Sequence, residues 1–414
     1  MKILVPVLIL ALSLVAFSQE RKFDFGSTKA TKNKAVSSTD VYSKEKGFGF
    51  EPGAEVKCGE RVCTSDKPFY FSAAVPEGNY RVTIKFGDKQ VATTTVVKAE
   101  LRRLMLERVD TKPGAFVMRS FIVSVRTPLI STGGEVKLKD RERTSEQWAW
   151  DEKLTLEFNG ARPSISSLEI QKVGVPTVFL LGDSTVCDQP GEPYASWGQM
   201  ITRFFGDKVA VANHAESGES LKSSFGAKRL DKVLSLMRRG DYLLIQYAHN
   251  DEKEKGEGVG AFTTYKASLK QFVDAAKKKG GIPILITPMH RRTFDADGKI
   301  TNSHGDYPQA VRQLAKELNV PLIDLNAMSK PLYEAWGAEP SKLAFAPNDN
   351  THHNNYGSYE LAKCIVEGIK SNKLGIVKYL MNDVPRFDPG RPDPFDGFKI
   401  PASPLATGTK PPGS

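Results

Sequence analysis

The chain has 414 residues, 40% of them hydrophobic, which allows two or more domains with cores of their own and excludes a fibrous or mostly disordered polymer. A formal net charge of +10 suits an anionic partner, whether nucleic acid, an anionic surface or an acidic polymer such as pectin. No zinc finger, RNA-binding aromatic motif or Lys/Arg-rich recognition helix appears, so nucleic acid is the weakest of the three, and a generally solvated basic surface accounts for the same charge.

At the start, Met1-Lys2 precedes the apolar run Ile3 to Phe17, and the small residues Ala16 and Ser18 stand where a signal peptidase would cut. The run is shorter than the roughly 20 apolar residues of a spanning helix. Residues 1–18 are therefore expected to be a signal peptide, cleaved near Ser18, leaving a secreted or periplasmic protein without a membrane span. Cleavage removes one cation, Lys2, and takes the formal charge from +10 to +9. Four cysteines are too few for a disulfide framework. Cys58 and Cys63 flank the short Gly59-to-Val62 loop and could close a hairpin, whereas Cys187 and Cys364 are left unpaired.

Residues 19–173 carry short alternating segments: Phe69 to Phe71, Tyr80 to Ile84, Thr93 to Val97, Phe121 to Val125 and Leu154 to Phe158. Turn signals such as Pro76 to Asn79, Gly87-Asp88 and Thr132 to Gly134 separate them. Many short strands between turns predict an antiparallel β-sandwich.

Over residues 174–384 the period changes. Strands are expected at Thr177 to Leu181, Val209 to Ala212, Tyr242 to Tyr247, Ile282 to Thr287 and Pro321 to Leu325. Amphipathic helices are expected at Phe262 to Lys279 and Tyr307 to Leu318. Such alternation predicts a parallel sheet covered on both faces, with its site outside the carboxyl ends of the strands. The polar candidates fall at that edge: Ser184 after the first strand, Asn213 to Ser220 after the second, His249-Asn250-Asp251 after the third, and His290-Arg291-Arg292 after the fourth. All six histidines follow residue 213, so histidine chemistry belongs to this half and the first half offers binding or support. From 385 to 414 repeated prolines forbid a regular helix or central strand. The first part of this tail is expected to pack as an extended strap and Thr407 to Ser414 to be loose.

Gly182-Asp183-Ser184-Thr185, Asn213 through Gly218 to Ser220, Asn250-Asp251 and Asp349-x-x-His352 follow one another in the order of four sequence blocks. In them this half resembles the SGNH, or GDSL-type, hydrolases. Together with Ala195-Ser196-Trp197-Gly198-Gln199 and Asp-Asn-Thr-His, they are similar to the rhamnogalacturonan acetylesterase branch. The all-β half resembles the galactose-binding-like sandwich attached to such esterases. The resemblance implies an α/β three-layer, flavodoxin-like domain and a serine esterase with no cofactor and no metal. One departure stands out: Ala248 occupies a position where related sequences have Gly before His-Asn-Asp.

Chemistry gives each residue a part. Ser184 is the expected nucleophile, His352 the base and acid, and Asp349 the group that holds the imidazole tautomer. The resemblance assigns the oxyanion hole to the Ser184 and Gly218 backbone N–H groups and the Asn250 amide. Each has a plainer rival. A Ser after Gly-Asp builds turns and caps, Asp349 could cap a helix with His352 on the surface, and Asn-Asp pairs build turns. His353, Trp197, Arg291 and Arg292 are candidate substrate contacts, against packing for His353, core for Trp197 and solvation for the arginines. Adjacent histidines without a carboxylate or cysteine at ligand spacing make a poor zinc site.

The reading is a secreted esterase that deacetylates a plant cell-wall polysaccharide, foremost pectic rhamnogalacturonan. A xylan acetylesterase or another lipase or thioesterase of the superfamily would use the same triad. A carbohydrate-binding protein with an inert hydrolase domain is the alternative of another class.

Overall fold

The computed structural model describes residues 20–26 and 32–404. The expected signal peptide and the loose terminal residues 407–414 lie outside these described residues.

In the first half, alternation decides which side chains turn inward. Along Gly78–Phe86, Tyr80, Val82, Ile84 and Phe86 are buried while the residues between them are half-buried. Two five-stranded sheets form. One runs in the order Val117–Val125, Gly78–Phe86, Ser167–Lys172, Glu20–Phe25, Lys34–Val36; the other runs Phe48–Phe50, Phe69–Ala74, Lys153–Arg162, Thr93–Ala99, Arg103–Thr111. All pairings are antiparallel except the edge pair of Glu20–Phe25 with Lys34–Val36. Between the sheets Phe23, Phe25, Phe50 and Phe71 meet ring to ring at 5.0–6.0 Å. Each buried phenylalanine contributes roughly 1.5–3 kcal/mol. A third, three-stranded sheet contains the hairpin Lys57–Gly59 and Val62–Thr64, which the Cys58–Cys63 disulfide closes.

The second half is built on five parallel strands in the spatial order Ala210–Asn213, Thr177–Gly182, Tyr242–Gln246, Ile282–Ile286, Leu322–Ile323. The strands are near-continuous apolar runs because both faces are covered. Val178 and Leu180 point to a core shared with Leu332, Tyr333, Leu361 and Ile365, whereas Phe179 and Leu181 point to one shared with Leu230, Leu269, Phe272 and Leu314. Helices Leu325–Trp336 and Asn355–Ser371 thus cover one face, and Arg229–Leu236, Lys266–Lys278 and Tyr307–Leu318 the other. The parallel-sheet expectation holds, with two local differences. The fifth strand is cut to Leu322–Ile323 because the Asp324 carboxylate accepts the Ala327 N–H and starts a helix there. The helix expected from Phe262 opens as a π turn, Ala261–Tyr265, where Thr263 Oγ1 donates back to the Gly258 carbonyl at 2.6 Å.

Buried polar contacts bind the halves together. Arg102 meets Glu192 at 2.6 Å, Arg103 meets Asp188 at 3.3 Å, and Glu142 meets Arg229 at 2.8 Å. Gln199 Nε2 donates to the Leu101 carbonyl at 2.8 Å. The proline-rich segment after residue 385 runs as a strap over both halves. Asp393 accepts from Tyr356 at 2.6 Å, Pro401 accepts from Lys98 at 2.8 Å, and Ser403 Oγ donates to Glu157 at 2.7 Å. Among the described residues no helix is long and apolar enough to cross a membrane.

Candidate active site

Strand order reverses at Thr177–Gly182, which lies between Ala210–Asn213 and Tyr242–Gln246. Loops leaving such a switch point diverge and open a crevice at the carboxyl edge. Ser184 sits two residues beyond that strand. The turn that carries it is tightly tied: the Asp183 carbonyl accepts the Val186 and Cys187 N–H groups at 3.0 Å each. Asp183 Oδ1 accepts the Thr185 N–H at 3.0 Å and the Thr185 hydroxyl at 2.7 Å. Its Oδ2 faces His249 Nδ1 at 3.4 Å. Burial works against the Asp183 charge, but His249 and Thr185 outweigh it and hold the carboxyl below its ordinary range.

Ser184, His352 and Asp349 form one chain of hydrogen bonds. His352 Nε2 lies 2.8 Å from Ser184 Oγ and its Nδ1 lies 2.9 Å from Asp349 Oδ2. An ionised carboxylate only accepts, so Nδ1 carries the proton and Nε2 is free to take one from the serine. Asp349 Oδ1 also accepts the Thr351 and His352 N–H groups at 2.7 and 3.0 Å, an Asx turn that fixes the ring's approach. Burial opposes the Asp349 charge, yet the His352 ring and these two N–H groups prevail and hold the carboxyl far below the carboxylate range. Ser184 and His352 are each 1% exposed, so the pair is recessed.

Asn250 reaches the neighbouring loop, its Nδ2 donating to the Glu219 carbonyl at 3.0 Å. Gly218 has φ +75°, a left-handed conformation that disfavours any residue with a Cβ. Among the described residues, neither the Ser184 nor the Gly218 N–H is bonded to another protein group. Ala248, the departure noted in the sequence, has φ +148°, so the loop keeps a glycine-favouring conformation without glycine.

The four candidate substrate contacts each meet protein groups. Trp197 is buried, its Nε1 donating to Gln246 at 2.8 Å; Gln246 in turn donates to Thr185 at 2.7 Å, so the indole braces the serine turn from within. His353 is buried against Tyr333, whose hydroxyl lies 2.7 Å from its Nε2, and burial pushes the imidazole down to about 3. Arg291 pairs with Glu252 at 2.5 Å and lies 3.3 Å from His304. Arg292 donates to Asn350 Oδ1 at 2.6 Å and to the Ala338 carbonyl at 3.1 Å, bracing the loop that carries Asp349. Each of the four thus has at least one protein partner.

Sequence spacing gave no sign of two further neighbours. Gln189 Nε2 donates to the Ser184 carbonyl at 2.7 Å, and Tyr194 stands edge-on to His352 at 6.0 Å between ring centroids. Their contacts arise from a loop with no periodic signal, held by Arg102, which donates to the Gln189 and Tyr194 carbonyls at 3.1 and 2.8 Å. Among the described residues no group of three or more His, Cys, Asp or Glu is disposed to hold a metal ion.

The chain is similar to known proteins. Residues 180–358 match the model of the GDSL-like Lipase/Acylhydrolase family. Rhamnogalacturonan acetylesterase RhgT of Bacillus subtilis is 42% identical over 50% of this chain and 94% of its own length. Probable rhamnogalacturonan acetylesterase YesY of the same organism is 34% identical over 50% of this chain and 98% of its own. The uncharacterized esterase YxiM, also of B. subtilis, is 26% identical over 84% of this chain and 90% of its own. With this likeness and the Ser-His-Asp chain at the strand edge, the protein belongs to the GDSL-like lipase/acylhydrolase family and is a carboxylic ester hydrolase.

Proposed function

We propose that this chain is a secreted carbohydrate esterase that removes acetyl groups from a plant cell-wall polysaccharide, foremost rhamnogalacturonan, with Ser184, His352 and Asp349 as its triad. The observation that carries the chemistry is the unbroken hydrogen-bond chain from Ser184 Oγ through His352 to Asp349. Ser184 attacks the ester carbonyl as His352 Nε2 takes its proton. The oxyanion of the tetrahedral intermediate is met by the Ser184 and Gly218 N–H groups and the second N–H of the Asn250 amide, whose first is given to Glu219. As the intermediate collapses, His352 returns the proton to the departing sugar oxygen. Water then attacks the acyl-enzyme by the same route and acetate leaves.

The recessed serine suits a small acyl group better than a fatty chain. RhgT is named a rhamnogalacturonan acetylesterase and YesY a probable one, and a formal charge of +9 after loss of residues 1–18 draws an acidic polymer towards the protein. Acetate release measured across acetylated rhamnogalacturonan, xylan and chitin fragments tests the substrate. Preference for xylan would overturn the rhamnogalacturonan reading. The N-terminal sequence of exported protein tests secretion: it should begin near Gln19.

A further inference from the structure

We propose that Lys139 and Arg141, which belong to the N-terminal half, are positioning residues for ester hydrolysis: they orient and polarise the peptide whose N–H is that of Gly218. The inference rests on the reading of Gly218 as an oxyanion donor. Lys139 Nζ donates to the Ser217 carbonyl at 2.6 Å, and Arg141 Nη2 approaches the same oxygen at 3.4 Å. That carbonyl and the Gly218 N–H are the two ends of a single planar peptide. In a trans peptide they point in opposite directions, so a carbonyl drawn towards the N-terminal half turns the N–H the other way, towards the crevice.

Such a clamp has a physical reason to exist. Glycine adopts many backbone conformations at little cost, and a peptide next to it rotates easily. Two cations on the carbonyl also draw electrons from the amide and strengthen its N–H as a donor. They have a second effect on the field. Glu216 and Glu219, both buried, flank the loop and would oppose a developing oxyanion. Arg141 pairs with Glu216, and Lys139 meets Glu219 at 2.9 Å. The segment bearing the cations is itself anchored. Glu142 accepts the Lys139 N–H at 2.8 Å and binds Arg229 through two bonds of 3.0 and 2.8 Å. These two side chains of the N-terminal half thus act on the oxyanion loop through the Ser217 carbonyl and its flanking carboxylates, without touching substrate.

The test uses the full chain and an aryl acetate, with kcat, KM and Tm measured for each variant. Outright loss of an oxyanion donor costs roughly 10²–10³-fold in kcat, so Lys139→Met with Arg141→Met, which loosens one donor, should cost about ten-fold with KM within about two-fold. Lys139→Arg should restore most of the loss of Lys139→Met. Glu77→Gln is the stability control: it breaks a separate inter-half pair, with Lys232 at 2.6 Å, and should lower Tm without changing kcat. Wild-type kcat in the double variant, while Asn250→Ala loses activity, would overturn the inference and leave the oxyanion reading standing. Wild-type kcat in Asn250→Ala as well would overturn that reading. If Glu77→Gln loses kcat in step with Tm, general loosening explains the effect and the inference falls. Should the double variant fail to fold, the two single variants decide by the same criteria.

Discussion

Asp349 holds His352 at two points, accepting the ring Nδ1–H on one carboxylate oxygen at 2.9 Å and the backbone N–H on the other at 3.0 Å. Both the tautomer and the tilt of the imidazole therefore depend on a single carboxylate. Asp349→Asn should preserve the fold and lower kcat by roughly 10⁴-fold, because an amide can present a donor to Nδ1 and favour the wrong tautomer. Ser184→Ala and His352→Ala should each fall at least as far, since triad members act as a unit. Turnover of an aryl acetate and circular dichroism check both halves of the statement; substantial activity in Ser184→Ala would remove the serine mechanism.

Arg292→Gln should lower kcat by about ten-fold, and equally on a neutral aryl acetate and on acetylated rhamnogalacturonan, because the loss arises in support of the Asp349 loop. Parallel assays on the two substrates decide it. A rise in KM on the acidic polymer alone would return the arginine to substrate recognition.

Ala248→Gly should stabilise the protein. With φ at +148°, the alanine Cβ makes a conformation costly that glycine adopts freely, and relief of such strain exceeds the extra chain entropy of glycine by about 1 kcal/mol. Urea unfolding at neutral pH measures the difference. An unchanged or lower midpoint would mean that the surrounding loop has relaxed around the methyl group.

Asp251 gives stability a dependence on pH. Its Oδ1 accepts the Leu221 N–H at 2.9 Å while Oδ2 is buried without a partner, and burial pushes the carboxyl up to about 8. The folded pKa exceeds the unfolded value of about 3.9, so this group's contribution is complete below that value and is lost as pH rises towards 8. Asp251→Asn removes the ionisation and keeps the acceptor. Unfolding free energies taken from pH 4 to 9 should show the variant gaining on the wild type by at least about 1 kcal/mol, with most of the change complete by pH 8. A constant gap would show that the carboxyl does not titrate in this window.

Local chemistry explains which features could be read in advance. The strands of the second half were legible because burial on both faces demands apolar runs, and helix Tyr307–Leu318 because one face repeats at helical spacing. Ser184 and the Asp349–His352 pair were visible because strand end, turn and three-residue spacing lie within a few residues. The strand Arg103–Thr111 carries four charged residues and lacks a clean alternation, so nothing nearby reveals it. Position after a strand suggested outward-reaching arginines, but their partners Glu252 and Asn350 lie some 40 and 60 residues away in sequence. Trp197 reads alike as platform or core; only its bond to Gln246 separates the two.

The strap that ends the described chain also fixes an order of events. Lys98 and Glu157 form a buried pair at 3.5 Å in the N-terminal half, and the groups that complete their hydrogen bonding are Pro401 and Ser403. A ribosome releases those residues only after both halves. The N-terminal sandwich therefore emerges hundreds of residues before its own interior can be finished, and during synthesis it waits with two charges incompletely satisfied. A chain cut after Val384 would remain in that waiting state permanently, even though every strand of both sheets and the whole triad would still be present.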